Sequence, residues 1–241
     1  MLCAIAVLAA PAVQAQGTAG DKTVKVRFRL YGWDEPVTDL CYNMRGKDET
    51  LVIYQDTRSV FYDYTGPELI TFYRLKTDST GKVVREPAAQ TNLHNAGPWP
   101  LIIFANHQAK PGTYQTIVMK DDLAAFPPGS YAFSNFTPSV IGGVLGTEDF
   151  KLSPGESKLV AGKPPANGTT LAAMFYQISG SEKVPVYTSN WAIRPAIRTR
   201  VFVRSSPDTP TGIVARRLVE STFFQPEKAG AISTGTLSKT D

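Results

Sequence analysis

The sequence predicts an all-β protein, an antiparallel β-sandwich of the immunoglobulin-like type built as two packed sandwich units. Three observations lead there. Short runs such as TVKVRFRLY (residues 23–31) alternate apolar and polar side chains, as half-buried strands do. Turn sequences such as FPPG (126–129) and SPGE (153–156) separate the runs at regular spacing. No window shows apolar residues at helical spacing over three turns, so a helical architecture is not expected.

The N-terminal segment has the pattern of an export signal. Residues 1–15 carry no charge and contain an apolar run too short to cross a bilayer, and small residues precede a predicted cleavage point after Ala15. Residues 16–22 form a short polar linker. We therefore expect an exported protein, periplasmic or extracellular, with no transmembrane segment. The alternative is an apolar N-terminus on a cytosolic protein.

The first predicted sandwich unit spans residues 23–106. In its first strand the apolar residues Val24, Val26, Phe28 and Leu30 point inward, whereas the basic residues Lys25, Arg27 and Arg29 point outward. Further short strands follow, separated by charged turns and by a long polar loop at residues 86–98. The continuous apolar run PLIIFA (100–105) predicts a strand buried on both faces.

The second predicted unit spans residues 107–221, and a disordered tail occupies residues 222–241, most of which are small or polar. Its best-defined part runs from residue 114 to 152, where strands alternate with turns. Gly142 and Gly143 interrupt one strand, at a bulge or where another backbone comes close. The two halves give no convincing self-alignment, so the sequence does not indicate a duplication. One elaborated sandwich is the alternative to two units.

Three motifs of this region share turn chemistry: PLIIFAN (100–106), YQTIVMKDDLAAFPPGSYAFSNFTP (114–138) and LSPGE (152–156). Together they resemble a pattern in exported bacterial β-sandwich proteins of uncharacterised function. The resemblance covers residues 100–219, with YTGP (64–67) as a weaker upstream match. It implies the sandwich fold and export, and it carries over no catalytic residues.

Charge and cysteine content narrow the class of protein. The formal net charge is +4, too small for the dense basic stripe of a nucleic-acid-binding protein. Arg198, Arg200 and Arg204 share one face of a predicted strand, interpreted as a solvated outer face, with a polyanion contact as the alternative. Cys41 is the only cysteine beyond the signal segment and is predicted to be a buried small hydrophobe.

The residues that could carry catalysis or bind metal form no recognisable set. His94 and His107 lie in predicted loops and lack a nucleophile elbow nearby. Adjacent carboxylates such as Asp121 and Asp122 point to opposite faces of an extended chain and are expected to stabilise a turn, with a calcium site as the alternative. We predict no catalytic residues, no metal site and no cofactor.

The three tryptophans are the best candidates for a binding site. Trp33, Trp99 and Trp191 each lie at a turn or strand entrance, where an aromatic ring can stack on a sugar or anchor a partner. The predicted function is a non-enzymatic binding, assembly or scaffolding role at the cell envelope, with an unknown protein or polysaccharide partner. The alternatives are a carbohydrate-binding module that uses these tryptophans, and a hydrolase with a site invisible in the sequence.

Overall fold

A computed structural model of the protein describes residues 22–222, which form 16 β-strands. The first eight are β1 (Thr23–Gly32), β2 (Cys41–Met44), β3 (Lys47–Thr50), β4 (Tyr62–Pro67), β5 (Leu69–Thr77), β6 (Val83–Asn92), β7 (Pro100–Asn106) and β8 (Tyr114–Lys120). The next eight are β9 (Tyr131–Phe136), β10 (Val140–Leu145), β11 (Glu148–Leu152), β12 (Ser157–Val160), β13 (Thr170–Ser179), β14 (Glu182–Ala192), β15 (Ile197–Ser205) and β16 (Ile213–Ser221). The predicted signal peptide, the linker up to Asp21 and the tail from Phe223 lie outside the described residues.

The strands form four sheets of four, which confirms the predicted sandwich fold in two packed units. In the first unit the sheet orders are β4-β1-β7-β8 and β3-β2-β5-β6; in the second they are β12-β9-β15-β16 and β11-β10-β13-β14. Each strand therefore occupies the same position as the strand eight places later. The two units are structural repeats, although their sequences gave no convincing self-alignment. No helix in residues 22–222 has the length and apolar character needed to span a membrane.

Two strand pairs depart from the predicted antiparallel arrangement. β1 pairs with β7 in parallel, Arg29 opposite Leu101, and β9 pairs with β15 in parallel, Tyr131 opposite Thr199. Hairpin turns dictate antiparallel pairing only between strands that follow one another in the chain. β1 and β7 are joined through most of the unit, so local turn signals do not determine their relative direction.

The boundary between the units lies later in the chain than residue 107. Residues 107–113 form the loop of the β7–β8 hairpin, and β8 pairs with β7 from Tyr114 to Lys120. The pairing therefore assigns β8 to the first unit, and we correct the boundary to the segment 121–130. The predicted polar loop at residues 86–98 is also corrected, because β6 continues to Asn92 and pairs with β5.

Each unit has its own apolar core between its two sheets. In the first, the ring of Phe72 lies 6.1 Å from that of Phe28 and 5.0 Å from that of Phe104, and all three are buried. In the second, Phe133 contacts Phe150 and Phe175 in the same way. Cys41 is buried in the first unit beside the hydroxyl of Thr50.

The two glycines of β10 accommodate aromatic side chains, not a bulge or a neighbouring backbone. The pairing of β10 with β13 runs without interruption. A Cβ atom at Gly142 would lie 2.2 Å from the Tyr176 ring, and one at Gly143 would lie 2.4 Å from the Phe150 ring. The missing side chains are what allow these rings to lie flat against the strand.

We expect Gly143→Ala to lower the free energy of unfolding by about 1–3 kcal/mol, because the added methyl group overpacks a filled core. Urea unfolding followed by tryptophan fluorescence would measure the change. A variant as stable as the wild type would show that the Phe150 ring has room to move.

The units pack through equivalent sheets. The outer face of β4-β1-β7-β8 contacts the outer face of β12-β9-β15-β16, and the contact includes a buried apolar cluster of Tyr31, Leu101, Ile103, Phe202 and Leu218. Four sheets are thus stacked, and we call the contact between the middle two the junction.

Candidate functional site

The structure does not bring the three tryptophans together on one face. Trp191, on β14, is buried in the core of the second unit and stacks on Tyr131 at 5.7 Å, while its indole N–H donates to the Tyr187 hydroxyl at 3.0 Å. Trp191 therefore has a structural role. A buried indole needs apolar neighbours for its ring and a hydrogen-bond acceptor for its N–H, and Trp191 has both.

Trp33 lies at the edge of the junction. Its ring meets Phe136 of the second unit edge-on at 5.0 Å, and the Arg204 guanidinium sits 5.2 Å from its centroid. Asp34, its neighbour, forms a 3.0 Å salt bridge with the same arginine. A polar cleft of about 570 Å³ opens beside these residues. Through these contacts Trp33 joins the two units, and part of its side chain also lines the cleft.

Trp99 lines an open, largely apolar groove. It lies in the sequence Pro98-Trp99-Pro100, in which both prolines restrict the backbone. The Pro98 carbonyl accepts a hydrogen bond from the Arg27 N–H at 2.9 Å, and the Trp99 carbonyl accepts one from the Asp121 N–H at 3.2 Å. The half-buried indole is therefore held on a fixed backbone.

The groove beside Trp99 has a volume of about 570 Å³. Apolar parts of its wall come from Val26, Met44, Pro98 and Trp99. The Phe61 ring supports the indole edge-on at 5.7 Å. We call this feature the Trp99 groove. Its size lies within the range of small-ligand sites, and a rigid aromatic wall is typical of them.

The rim of the Trp99 groove is basic. Lys25, Arg27 and Arg45 line it, together with the single carboxylate of Asp63. Arg45 begins the two-residue turn between β2 and β3 with φ of 53°, followed by Gly46 at 89°. Such turns favour Asn-Gly, because asparagine tolerates this left-handed backbone. An arginine there costs on the order of 1 kcal/mol.

A buried ion cluster locks the junction next to the groove. Its centre is Asp121, the first residue after β8, whose side chain is 1% exposed. Arg29 and Arg58 of the first unit each donate to its carboxylate at 2.9 Å, and Arg200 of the second unit donates at 2.8 Å. One carboxylate thus binds guanidinium groups from both units.

Glu220, on β16, supplies the second carboxylate of the cluster. It accepts hydrogen bonds from Arg29 of the first unit and, at 2.6 Å, from Arg198 beside it. Further donors of the cluster reach backbone oxygens, as when Arg198 donates to the Phe126 carbonyl at 2.8 Å. The Phe126 ring lies 4.9 Å from the Arg198 guanidinium and 4.5 Å from that of Arg200. Carboxylates, carbonyls and an aromatic face together stabilise the buried positive charge.

The cluster holds both carboxyl groups ionised. Burial alone would raise the pKa of the Asp121 carboxyl, but the charges of Arg58 and Arg200 outweigh it and hold that pKa well below its usual range. Burial opposes ionisation of Glu220 as well, and the Arg29 hydrogen bond helps to keep its pKa lowered. Asp121 and Glu220 therefore stabilise the junction as ionised carboxylates.

Both interpretations of the arginine-rich strand were wrong for Arg198 and Arg200; Arg204, the third residue of that face, is partly exposed and pairs with Asp34 at the edge of the junction. Arg198 and Arg200 do share a face of β15, but this face packs against the first unit, where their side chains are 0% and 6% exposed. They are neither solvated nor open to a polyanion. Arg29 was likewise expected to point outward into solvent. Its side chain does point away from the core of the first unit, but the second unit buries it.

The expectation for the adjacent aspartates holds for one of them. The Asp122 carboxylate accepts backbone N–H bonds from Ala124 and Ala125 at 3.1 and 3.0 Å, as a turn-stabilising aspartate does. Asp121 binds arginines, an arrangement that repels a calcium ion. Residues 22–222 contain no cluster of three or more His, Cys, Asp or Glu side chains placed to hold a metal.

The two histidines lie apart on the surface of the first unit. His94 Nδ1 lies 3.2 Å from the Glu68 carboxylate, and His107 Nδ1 accepts from the Ala109 N–H at 3.3 Å in the β7–β8 loop. Among the hydrogen bonds of residues 22–222, neither imidazole contacts a serine, threonine or cysteine side chain. The described geometry contains no activated nucleophile next to a histidine.

Sequence reasoning missed the partners that give Trp99 and Asp121 their surroundings. Phe61 contacts Trp99 and Arg58 contacts Asp121 although each pair is far apart in sequence, and Glu220 joins the cluster only through the arginines that it shares with Asp121. One local signal was present: a tryptophan between two prolines indicates a restrained aromatic side chain. No protein-family model matches the chain, and no curated protein sequence does.

Proposed function

We propose that the protein is an exported, non-enzymatic binding protein of the cell envelope, periplasmic or extracellular, that contacts a polysaccharide through the Trp99 groove. One observation carries the proposal: the half-buried indole of Trp99 lines an open, largely apolar groove, whereas the cleft beside the half-buried Trp33 is polar and that indole packs against Phe136 and Arg204 of the second unit. Trp191 lies in the core of the second unit. Export is inferred from the pattern of residues 1–15.

The geometry of Trp99 suits stacking on a sugar ring. An indole offers a large flat apolar surface that matches the C–H face of a pyranose. The flanking prolines and the Phe61 contact fix the ring before any ligand arrives. A pre-organised side chain loses little conformational entropy on binding, so more of the contact energy appears as affinity.

We expect Trp99→Ala to lower the affinity for the recognised polysaccharide at least tenfold, because the stacking surface disappears. Affinity gel electrophoresis or biolayer interferometry after a glycan-array screen would measure the loss. Trp99→Phe keeps an aromatic face and should retain part of the affinity. Tyr54→Ala is the matched control, since Tyr54 is an exposed aromatic residue, 45% accessible, that does not line the groove.

Two results would contradict this proposal. A glycan array on which the wild-type protein binds no polysaccharide would remove the proposed ligand class. Equal binding by the wild type and Trp99→Ala would remove the groove as the site. In the second case the polar cleft beside Trp33 becomes the next surface to test.

The junction favours a second candidate, an assembly or scaffolding role with a protein partner. The apolar cluster and the ion cluster fix the two units relative to each other. Because the two sandwiches are rigidly joined, a binding surface on one unit keeps a fixed position relative to the other unit. Cross-linking in envelope extracts followed by mass spectrometry would test it, with a reproducible protein partner as the expected result.

A further inference from the structure

The charge around the Trp99 groove is unbalanced. Three cations, Lys25, Arg27 and Arg45, line the groove with the one carboxylate of Asp63. Among residues 22–222, Lys25 and Arg45 take part in no salt bridge, and both are exposed. The groove therefore presents positive charge that the protein itself leaves largely uncompensated.

The one ion pair at the rim is poorly formed. Arg27 Nε lies 3.0 Å from a carboxylate oxygen of Asp63, yet the N–H makes no aligned hydrogen bond to it or to any other atom in residues 22–222. Asp63 is 72% exposed, so water competes strongly for its charge. The Arg27 guanidinium instead lies over the Phe61 ring, 5.0 Å from its centroid. Its charge is thus held beside the groove with little neutralisation.

The backbone conformation of Arg45 is a second sign that the positive charge at the groove has a function. Its turn places an arginine where the left-handed backbone favours asparagine or glycine. Backbone strain is found preferentially at functional sites, where the strained residue has a role that offsets it. Here the strained residue places a guanidinium at the groove rim.

We infer that the ligand of the Trp99 groove is an acidic polysaccharide, one with carboxylate groups on its sugars. The inference rests on the proposed function and specifies its ligand. The indole provides the stacking surface, and Lys25, Arg27 and Arg45 provide the partners for the carboxylates. Three cations against one carboxylate favour a chain that carries negative charge, because a charge-assisted hydrogen bond to a carboxylate is stronger than one to a sugar hydroxyl.

A polysaccharide fits the groove better than a single-stranded nucleic acid, which also combines negative charge with flat rings. Proteins that bind such strands stack successive bases on several aromatic side chains. Among residues 22–222 the groove is lined by two aromatic residues, and one of these, Tyr64, is buried, with its hydroxyl donating to the Pro67 carbonyl. Trp99 is left to stack on one ring at a time.

The test uses polygalacturonate and its fully methyl-esterified form, which share one sugar backbone and differ at the carboxyl group, charged in the acid form and neutral in the methyl ester. The protein without the predicted signal peptide, residues 1–15, is titrated with each polymer by biolayer interferometry. Each titration is done at a low salt concentration and at one about tenfold higher. We expect binding to the acid form, weaker binding at the higher salt concentration, and little binding to the ester. Trp99→Ala should lower the affinity for the acid form at least tenfold.

Arg45→Asn is the sharpest variant, because it removes the charge and relieves the strained turn together. We expect its melting temperature to equal or exceed that of the wild type, while its affinity for the acid polymer falls about threefold to fivefold. A loss of binding in this variant is then not due to unfolding. Lys158→Asn, on β12 of the second unit, removes an exposed cation outside the groove and should bind as the wild type does.

Each other outcome has a definite meaning. Equal binding of acid and ester, lost in Trp99→Ala, overturns the acidic ligand and leaves the proposed function standing. Binding to neither polymer overturns the acidic ligand, and a glycan array without signal then overturns the proposed function as well. Tighter groove-dependent binding of an oligodeoxynucleotide or of anionic lipid vesicles overturns the choice of a polysaccharide. Unchanged affinity in Arg45→Asn overturns the role of that arginine.

Discussion

Replacing Asp121 by asparagine should lower the free energy of unfolding by about 3–5 kcal/mol, the largest effect we expect from one substitution outside the two cores. The change keeps the size of the side chain and removes its charge. Arg29, Arg58 and Arg200 would remain buried around a neutral amide that can accept fewer hydrogen bonds than they donate. Because these arginines come from both units, we also expect the units to separate before either one unfolds.

Differential scanning calorimetry would measure both parts of this prediction, as a lower melting temperature and as a split of one transition into two. Asp122→Asn is the matched control. Its carboxylate serves only backbone N–H groups among the described residues, so its loss should cost about 1 kcal/mol and leave the transition unsplit. A stability of Asp121→Asn within 1 kcal/mol of the wild type would mean that the carboxylate is not needed to hold the cluster.

The second large effect is expected in acid. The pKa of Asp121 is lowered in the folded protein by the surrounding arginines, so the ionised carboxylate favours the fold. This contribution is fully present above the pKa that Asp121 has in the unfolded chain, about 4. It is lost as the pH falls below that value towards the lower pKa that Asp121 has in the folded protein. Glu220, with its lowered pKa, contributes in the same direction.

We therefore expect stability to be nearly constant from neutral pH to about pH 5 and then to fall, with Asp121 contributing on the order of 2–3 kcal/mol. Urea unfolding at a series of pH values would give the curve. In Asp121→Asn the slope below pH 4 should be shallower, since one of the titrating groups is gone. Parallel curves for the wild type and the variant would show that other carboxylates cause the acid unfolding.

Much of the fold could be predicted because it depends on local patterns. The alternation in residues 23–31 and the apolar run in PLIIFA gave β1 and β7 with the correct inward faces. Their parallel pairing could not be predicted, because β1 and β7 are distant in sequence. The repeat was not predicted for a related reason. Each position of a strand requires only an apolar or a polar side chain, and many different residues meet that requirement, so two equivalent strands need not have similar sequences.

The candidate site was harder to predict than the fold. Arginines that alternate with apolar residues along a strand have the same pattern whether the polar face meets water or another sheet, so Arg198 and Arg200 could not be assigned to an interface. Trp99 was identified as a candidate by its position at a strand entrance, together with Trp33 and Trp191. Only the packing of the sheets distinguishes Trp99, beside a largely apolar groove, from Trp191 in a core and from Trp33, which packs across the junction beside a polar cleft.

The repeat has a consequence for how charge is arranged at the junction. Two identical chains that met through this sheet would present the same residue on both sides of a twofold axis, so every arginine would have an identical counterpart. In a single polypeptide the halves are free to differ. Asp121 lies in the connecting segment, which exists once per molecule, and Glu220 comes from one unit alone. The covalent connection between the repeats thus permits an asymmetric junction that a symmetric pair of free units could not form.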